Sequence, residues 1–262
     1  MTAASLKIGS WNILGRRVHP TGKAAEPGAV RSILMAHPVD VLCLQEVHFY
    51  REEPDEQLVA ELGEVGLTHF VGLPLSESHL DPSARLGVGL ASRHPISQRD
   101  RFVLDRPHLT ASVRGERWVL HDKGMVGCAL ETFSAQPLWV YSLHLFPFFE
   151  FGVGEADSHV DRMWHEFWDY ADGLVGRGQL VLAGDFNQQS RRHAARRWSK
   201  QNWHFCFERV GTTANGLALD EIVLNWPAAE PKTALVPTFS DHYLVTADVQ
   251  LQNARSQAGA RS

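Results

Sequence analysis

Apolar and polar positions along this chain fall mostly into short runs and alternations of strand type, with a few stretches at helical spacing. Leu6 to Asn12 alternates apolar with small or polar residues and predicts a first strand that ends in an amide. A Gly- and Pro-bearing loop follows from Gly15 to Pro27. A short helix is predicted from about Gly28 to His37, with Val30, Ile33 and Leu34 on one face and Pro38 ending it. Val39 to Glu46 is a continuous apolar run closed by an acid, the pattern of a strand buried on both faces. Pro54 to Gly66 has amphipathic-helix spacing, Thr68 to Leu73 predicts a short strand, and the chain from Leu73 to Arg85 reads as loop.

Leu86 to Ser92 and Ile96 to Leu104 predict two strands that meet at Arg93-His94-Pro95. Residues from Asp105 to Gly124 are irregular and charged. Paired strands are predicted at Met125 to Thr132 and Leu138 to Leu145, the second carrying His144 at its end. Phe146 to Phe151 then places four phenylalanines in six residues, before a helix from Asp157 to Leu174. Leu180-Val-Leu-Ala runs into Gly184, Asp185 and Asn187, and an Arg-rich helix follows from about Ser190 to Lys200. Ala218 to Leu224 and His242 to Leu251 are the closing strands. Residues 1–252 read as one domain, and the small, polar tail 253–262 is expected to be disordered.

Strands outnumber helices, and several come in hairpin-like pairs rather than in strict β-α-β alternation. The pattern therefore predicts an α+β fold of two packed, mostly antiparallel sheets with helices outside them. The length of 262 residues suits such a layered fold. A formal net charge of -5 argues against a protein that coats nucleic acid through bulk charge, and leaves a local basic patch possible. Cys43, Cys128 and Cys206 have no metal-type spacing and read as free thiols of a reducing compartment. With no signal-peptide pattern and no apolar run long enough to span a bilayer, a cytoplasmic location is expected.

Chemistry gathers where apolar strands stop. Gly184 reads as a tight turn at which Asp185 and Asn187, two positions apart, emerge on one face. Such a pair either orients and deprotonates a water beside a phosphate or a hard metal ion, or merely caps a turn. Asn12, Glu46, His144, Asp220 and the triplet Ser240-Asp241-His242 close other strands, and together these residues would line one rim of a sandwich. No role is assigned to His48, His69, His79, His193 or His204.

Five ordered motifs, Trp11-Asn12, Gln45-Glu46, Ser92-Arg93-His94-Pro95-Ile96, Gly184-Asp185-Phe186-Asn187 and Ser240-Asp241-His242, resemble the endonuclease/exonuclease/phosphatase superfamily, which includes deoxyribonuclease I and abasic endonucleases. The resemblance runs from about residue 6 to 250. It implies a four-layer α/β/β/α sandwich and cleavage of a phosphoester that depends on Mg²⁺ or Mn²⁺. By motif, Glu46 would be the principal metal ligand, with Asn12 and Asp241 beside it. Asp185 would activate the attacking water and Asn187 would hold it or the phosphate. His242, oriented by Asp220, would contact the scissile phosphate, and His144 would stabilise it or assist the leaving group.

Substrate class must come from the periphery. Arg191, Arg192, Arg196, Arg197 and Lys200 follow Asn187 closely at helical spacing, so Arg192 and Arg196 are candidates for tracking a nucleic-acid backbone. The Phe146 to Phe151 run would stack bases, dip into a membrane interface or pack under the next helix. Lys123, before the strand at Met125, resembles the Lys-Gly motif of sphingomyelinase-like members, where the lysine would meet the substrate phosphate. The resulting expectation is a nuclease. The alternatives are a phospholipid phosphodiesterase acting on membrane lipid and a small-molecule phosphatase. Nothing in the sequence implies a stable protein partner.

Overall fold

The computed structural model describes residues 5–113, 115–131, 137–207, 209–227 and 230–252. In chain order its strands begin with β1 (Ser5–Asn12), β2 (Arg17–Val18) and β3 (Lys23–Ala24); α1 (Ala29–Ala36) then leads to β4 (Val41–Tyr50) and β5 (Glu53–Pro54). After α2 (Glu56–Glu64) come β6 (His69–Glu77), β7 (Arg85–Ser92), β8 (Ile96–Val103), β9 (Thr110–Val113), β10 (Glu116–Val119), β11 (Gly124–Leu130) and β12 (Leu138–His144). The chain ends with α3 (Ser158–Leu174), β13 (Gln179–Asp185), α4 (Arg191–Trp198), β14 (His204–Phe205), β15 (Asp220–Leu224), β16 (Lys232–Val236) and β17 (Leu244–Gln250).

Two sheets form. The first has the order β16-β17-β1-β4-β7-β6, with β5 paired to β4, and the second has the order β14-β15-β13-β12-β11-β8. Each is antiparallel except for one central parallel pair, β1 with β4 and β12 with β13. Their inner faces meet in a core that includes Ile8, Cys43, Val88, Val140, Val181, Ile222 and Val245. Leu34 of α1 and Leu58 and Leu62 of α2 cover the outer face of the first sheet, together with Trp11 and Leu44. Trp164, Phe167 and Trp168 of α3 cover the second sheet, against Tyr141, Leu182 and Val223. The architecture is thus the expected α+β, four-layer α/β/β/α sandwich.

Local chemistry fixes the helix starts. Asp55 accepts from the backbone N–H groups of Gln57 and Leu58, and Asp157 accepts from that of His159, so both helices are capped by their own preceding acid. The start of α1 lacks such a residue. Buried Glu61 of α2 serves instead, accepting from Gly28 N and Arg31 N at 3.0 Å each while paired to Arg16.

Several boundaries differ from expectation, each for a tertiary reason. The strand expected to stop at Leu73 continues to Glu77 because its pairing with β7 resumes after a bulge around Pro74, where a missing N–H is tolerated. The stretch from Asp105 to Gly124 contains the hairpin of β9 and β10. β16 was not foreseen, because Lys232-Thr233-Ala234 is solvent-exposed and takes strand form only by pairing with β17. The tail 253–262 lies outside the described residues. Among the described residues no helix is long and apolar enough to cross a membrane.

Candidate active site at one rim of the sandwich

Strand parity delivers the site. On the faces between the sheets stand Ile8, Ser10 and Asn12 of β1, Cys43 and Gln45 of β4, and Val140, Ser142 and His144 of β12. Val181, Ala183 and Asp185 of β13 and, reading backwards, Leu224, Ile222 and Asp220 of β15 complete the set. Each series is apolar at one end and polar at the other. The space between the sheets therefore grades from dry core to a polar rim, with a buried layer of Ser10, Gln45 and Ser142 just beneath it. Gln45 Nε2 donates to Ser142 Oγ at 3.3 Å, and that hydroxyl donates to Leu44 O at 3.0 Å.

Glu46 reaches the rim by a route the sequence does not show. It was expected to close its strand, but β4 continues to Tyr50, and Glu46 sits at a bulge between Gln45, opposite Val88, and Val47, opposite Gly87. Its φ is 54°, in the left-handed region that a non-glycine residue adopts only when its surroundings impose it. The bulge aims the carboxylate into the site while the strand continues. Gly184 also differs from its expected turn role. It lies within β13, where a Cβ would stand 2.0 Å from Leu143 O, so glycine is there for close strand approach. The chain leaves the sheet after Asp185, and the left-handed turn falls at Asn187, with φ 51°.

At the rim the side chains form one connected network. Asn12 Nδ2 donates to Glu46 Oε1 and to Asp185 Oδ2, both at 3.2 Å. Asp185 Oδ1 accepts from Asn187 N at 2.9 Å, while Asn187 Nδ2 donates to Leu145 O at 3.0 Å. His242 Nδ1 lies 2.8 Å from Asp220 Oδ2, and its Nε2 lies 3.7 Å from Asp185 Oδ2. His144 Nε2 approaches the same Asp185 oxygen at 3.5 Å. Lys123 Nζ sits 3.2 Å and 2.9 Å from the two ring nitrogens of His144. Asn12, Glu46, Lys123, His144, Asp185, Asn187, Asp220 and His242 are thereby brought together.

Charge states follow from this packing. Burial disfavours the His242 imidazolium, but Asp220 and Asp185 outweigh it and raise the group to about 10. Burial raises Asp185 to about 6, with Asp220 adding to the shift and His242 opposing it. Burial would likewise raise Glu46, yet Lys123, His79, the Asn12 amide and His242 together hold it below the usual carboxylate range. Burial lowers Lys123 against the pull of Glu46 and Asp185. Burial, with Lys123 and His242 nearby, keeps His144 neutral by lowering it well below an ordinary histidine.

A cation fits this donor set. Glu46 Oε2, Asp220 Oδ1 and Asp241 Oδ1 are buried oxygens without a hydrogen-bond partner among the described residues, an arrangement that is costly unless something else binds them. Asp185, Asp220 and His242 also bring one ligand-type atom each within 4.8 Å of one another and could hold a metal ion. There His242 Nδ1 already holds Asp220 Oδ2 at 2.8 Å, while Asp220 Oδ1 has no hydrogen-bond partner among the described residues.

Other expected site residues lie elsewhere. Arg192 and Arg196 line a cavity of about 260 Å³ with His193 and Arg209, which shares no lining residue with the rim network. The basic face of α4 is also smaller than its sequence suggests. Arg191 is buried against Glu221 at 3.0 Å, and Arg197 pairs with Asp161 at 3.1 Å. Of the phenylalanine run, Phe146 and Phe148 are core and only Phe149 is largely exposed, so packing under the helix is what the run mostly does.

The sequence singles out Ser240 only as part of a motif, and it gives Glu150 and His79 no role. Ser240 Oγ accepts from Trp11 Nε1 at 3.1 Å and is 2.8 Å from Asn12 O, which ties the Ser-Asp-His turn to the end of β1. Partial desolvation and the field of Glu46, which is close enough to act on it, raise the Glu150 carboxyl. His79, given no role above, is close enough for its field to reach Glu46 and His144. Nothing local marks Glu150 or His79, because their significance lies in contacts across the fold.

A four-layer sandwich with acids, amides and paired histidines at one rim defines a hydrolase architecture. The chain belongs to the Endonuclease/Exonuclease/phosphatase family, whose model matches residues 9–242. Comparison with curated proteins finds no match. Among solved structures, an endonuclease/exonuclease/phosphatase from Beutenbergia cavernae is similar at a TM-score of 0.69 and 18% identity, covering 94% of this chain and 72% of that one. The human Nocturnin catalytic domain with bound sulfate anion gives 0.66 and 18%, covering 95% and 94% of the two chains. An endonuclease/exonuclease/phosphatase from Bacteroides vulgatus gives 0.67 and 15%, covering 95% and 100%.

Proposed function

We propose that this protein is a divalent-metal-dependent nuclease that hydrolyses nucleic-acid phosphodiester bonds by in-line attack of water. The observation that carries the reading is the rim network itself, with a charged His242 locked to Asp220 beside a basic Asp185 and three orphaned carboxylate oxygens. Glu46 and Asp241, assisted by Asn12, would hold Mg²⁺ or Mn²⁺. A bound ion there supplies positive charge to a phosphate oxygen, as a Lewis acid.

The protein's own residues do the rest. Asp185, with its raised proton affinity, accepts the proton of the attacking water; the Asn12 amide and the Asn187 N–H fix its orientation. Donation of Asn187 Nδ2 to Leu145 O leaves the amide oxygen to orient that water. His242, cationic at neutral pH, faces the phosphate and stabilises the charge that builds up there. Lys123 adds a second positive charge, and neutral His144 keeps its ammonium in place.

Nucleic acid is favoured as substrate by the Arg192, Arg196 and Arg209 cavity, which suits a polyanion, in a family that holds nucleases beside phosphatases. A sulfate bound to the similar Nocturnin domain is of phosphate shape and charge. A membrane substrate loses support, because Phe149 alone is a weak anchor. The test is to titrate Mg²⁺ against plasmid DNA, RNA, abasic duplex, sphingomyelin and inositol phosphates. Metal-dependent cleavage of a nucleic acid, abolished in Glu46→Gln, is expected; hydrolysis of sphingomyelin or an inositol phosphate alone refutes the reading.

A further inference from the structure

Three rings gather just outside the rim. Trp118 comes from β10, His121 follows it, and His79 comes from the loop between β6 and β7. The Trp118 and His79 ring centroids are 6.3 Å apart, and those of His79 and His121 are 5.5 Å apart. None of the three belongs to a core cluster; His79 is exposed, while Trp118 and His121 are half-buried. Among the described residues no hydrogen bond holds the Trp118 indole N–H or any ring nitrogen of His79 or His121. A half-exposed tryptophan ring outside the core leaves its face available to a ligand.

The cluster borders the rim. His121 is two residues from Lys123, the field of His79 reaches Glu46, and the fields of both histidines reach His144. Burial, then His79 and Lys123, push His121 down to about 4, so its imidazole is neutral at physiological pH and presents a plain aromatic face. A cavity of about 460 Å³ opens beside His121, lined by Leu75, Val119 and Leu120 together with Arg85, Arg106 and the acids Glu52, Glu77 and Asp122. Flat rings, a cavity of mixed apolar and polar lining and the adjacent Lys123 and His242 suit a planar heterocycle carried next to a phosphodiester.

We propose that Trp118, His79 and His121 form the surface on which an unpaired nucleobase stacks when the neighbouring phosphodiester occupies the rim. The proposal rests on the nuclease reading and deepens it. Stacking on an aromatic side chain needs the base's π-face, which a duplex keeps covered, so single-stranded or unpaired nucleotides are selected.

The test uses the full chain with Mg²⁺ and a short single-stranded oligonucleotide made nuclease-resistant by phosphorothioate linkages. Its affinity is compared by fluorescence anisotropy with that of the same backbone built from base-free abasic units. The wild type is expected to bind the natural oligomer about tenfold or more tighter than the base-free one. Trp118→Ala is expected to erase that difference and leave binding of the base-free backbone unchanged, while Trp118→Phe retains most of it. Exposed His79→Ala provides a second readout should Trp118→Ala fail to fold, and is expected to narrow the difference. Equal affinity of the wild type for both polymers overturns the stacking proposal alone, as does an equal loss for both in Trp118→Ala. A duplex that binds as tightly as the single strand also overturns it. Binding of neither polymer overturns the nuclease reading and this proposal with it.

Discussion

Asp220→Asn removes a charge while keeping a side chain of the same shape against His242. Asp220 is fully buried and its Oδ2 lies 2.8 Å from His242 Nδ1, so the asparagine oxygen can still accept the imidazole N–H. At an effective dielectric of about 20, a pair of unit charges at that separation is worth about 6 kcal/mol, equivalent to about four pH units. Burial works in the opposite sense, and only Asp185 and Asp241 remain to oppose it in the variant. The sign follows directly: without the carboxylate the imidazolium is less stable, so His242 loses its proton at lower pH. In the wild type, kcat/KM is expected to rise as Asp185 deprotonates near 6 and to fall as His242 deprotonates near 10. In Asp220→Asn the alkaline limb is expected to move down by at least about two pH units. Turnover at pH above that limb should fall about a hundredfold. The assay is a pH profile of kcat/KM on a soluble phosphodiester at saturating Mg²⁺, paired with an NMR titration of the His242 ring in metal-free protein. An alkaline limb that stays where it was, or moves up, refutes the argument that Asp220 keeps His242 charged.

Three further expectations follow from the same contacts. Glu46→Gln should fold normally but lose most activity, and EDTA should abolish wild-type activity; a Tm rise of several degrees on adding Mg²⁺ should appear in the wild type and vanish in the variant. Full turnover in excess EDTA contradicts this. Glu221→Ala strands Arg191 in the core and should cost about 3–5 kcal/mol in denaturant unfolding, whereas Arg191→Met with Glu221→Leu should recover much of it; a single variant as stable as wild type refutes the buried-pair account. Arg192→Gln with Arg196→Gln should flatten the salt dependence of nucleic-acid binding by a log-log slope of roughly 0.7 to 0.9 per lost phosphate contact, with kcat little changed. An unaltered slope removes that cavity from the binding path.

The sequence by itself determined the architecture and most of the rim, because both are written in periodicity. Strand parity places Asn12, His144, Asp185 and Asp220 at the polar ends of inward-facing series, so reading apolar runs to their last polar residue found them. The apolar spacing within Pro54 to Gly66 and Asp157 to Leu174 placed α2 and α3, which is equally local. What only the tertiary structure decided involves partners distant in the chain. Glu46 enters the site through a bulge imposed by β7, which no pattern within Val41 to Tyr50 reveals. Arg191 and Arg192 look alike in sequence, yet Glu221, 30 residues away, takes the first into the core and leaves the second lining a cavity. The phenylalanine run offered three fates, and α3 chose burial for Phe146 and Phe148. His79 and Trp118 lie 39 positions apart and become neighbours only when a loop of the first sheet meets the hairpin of β9 and β10. Periodicity records which face a residue takes, but a partner's identity is set by chain closure over long separations, and single-sequence patterns carry no term for that.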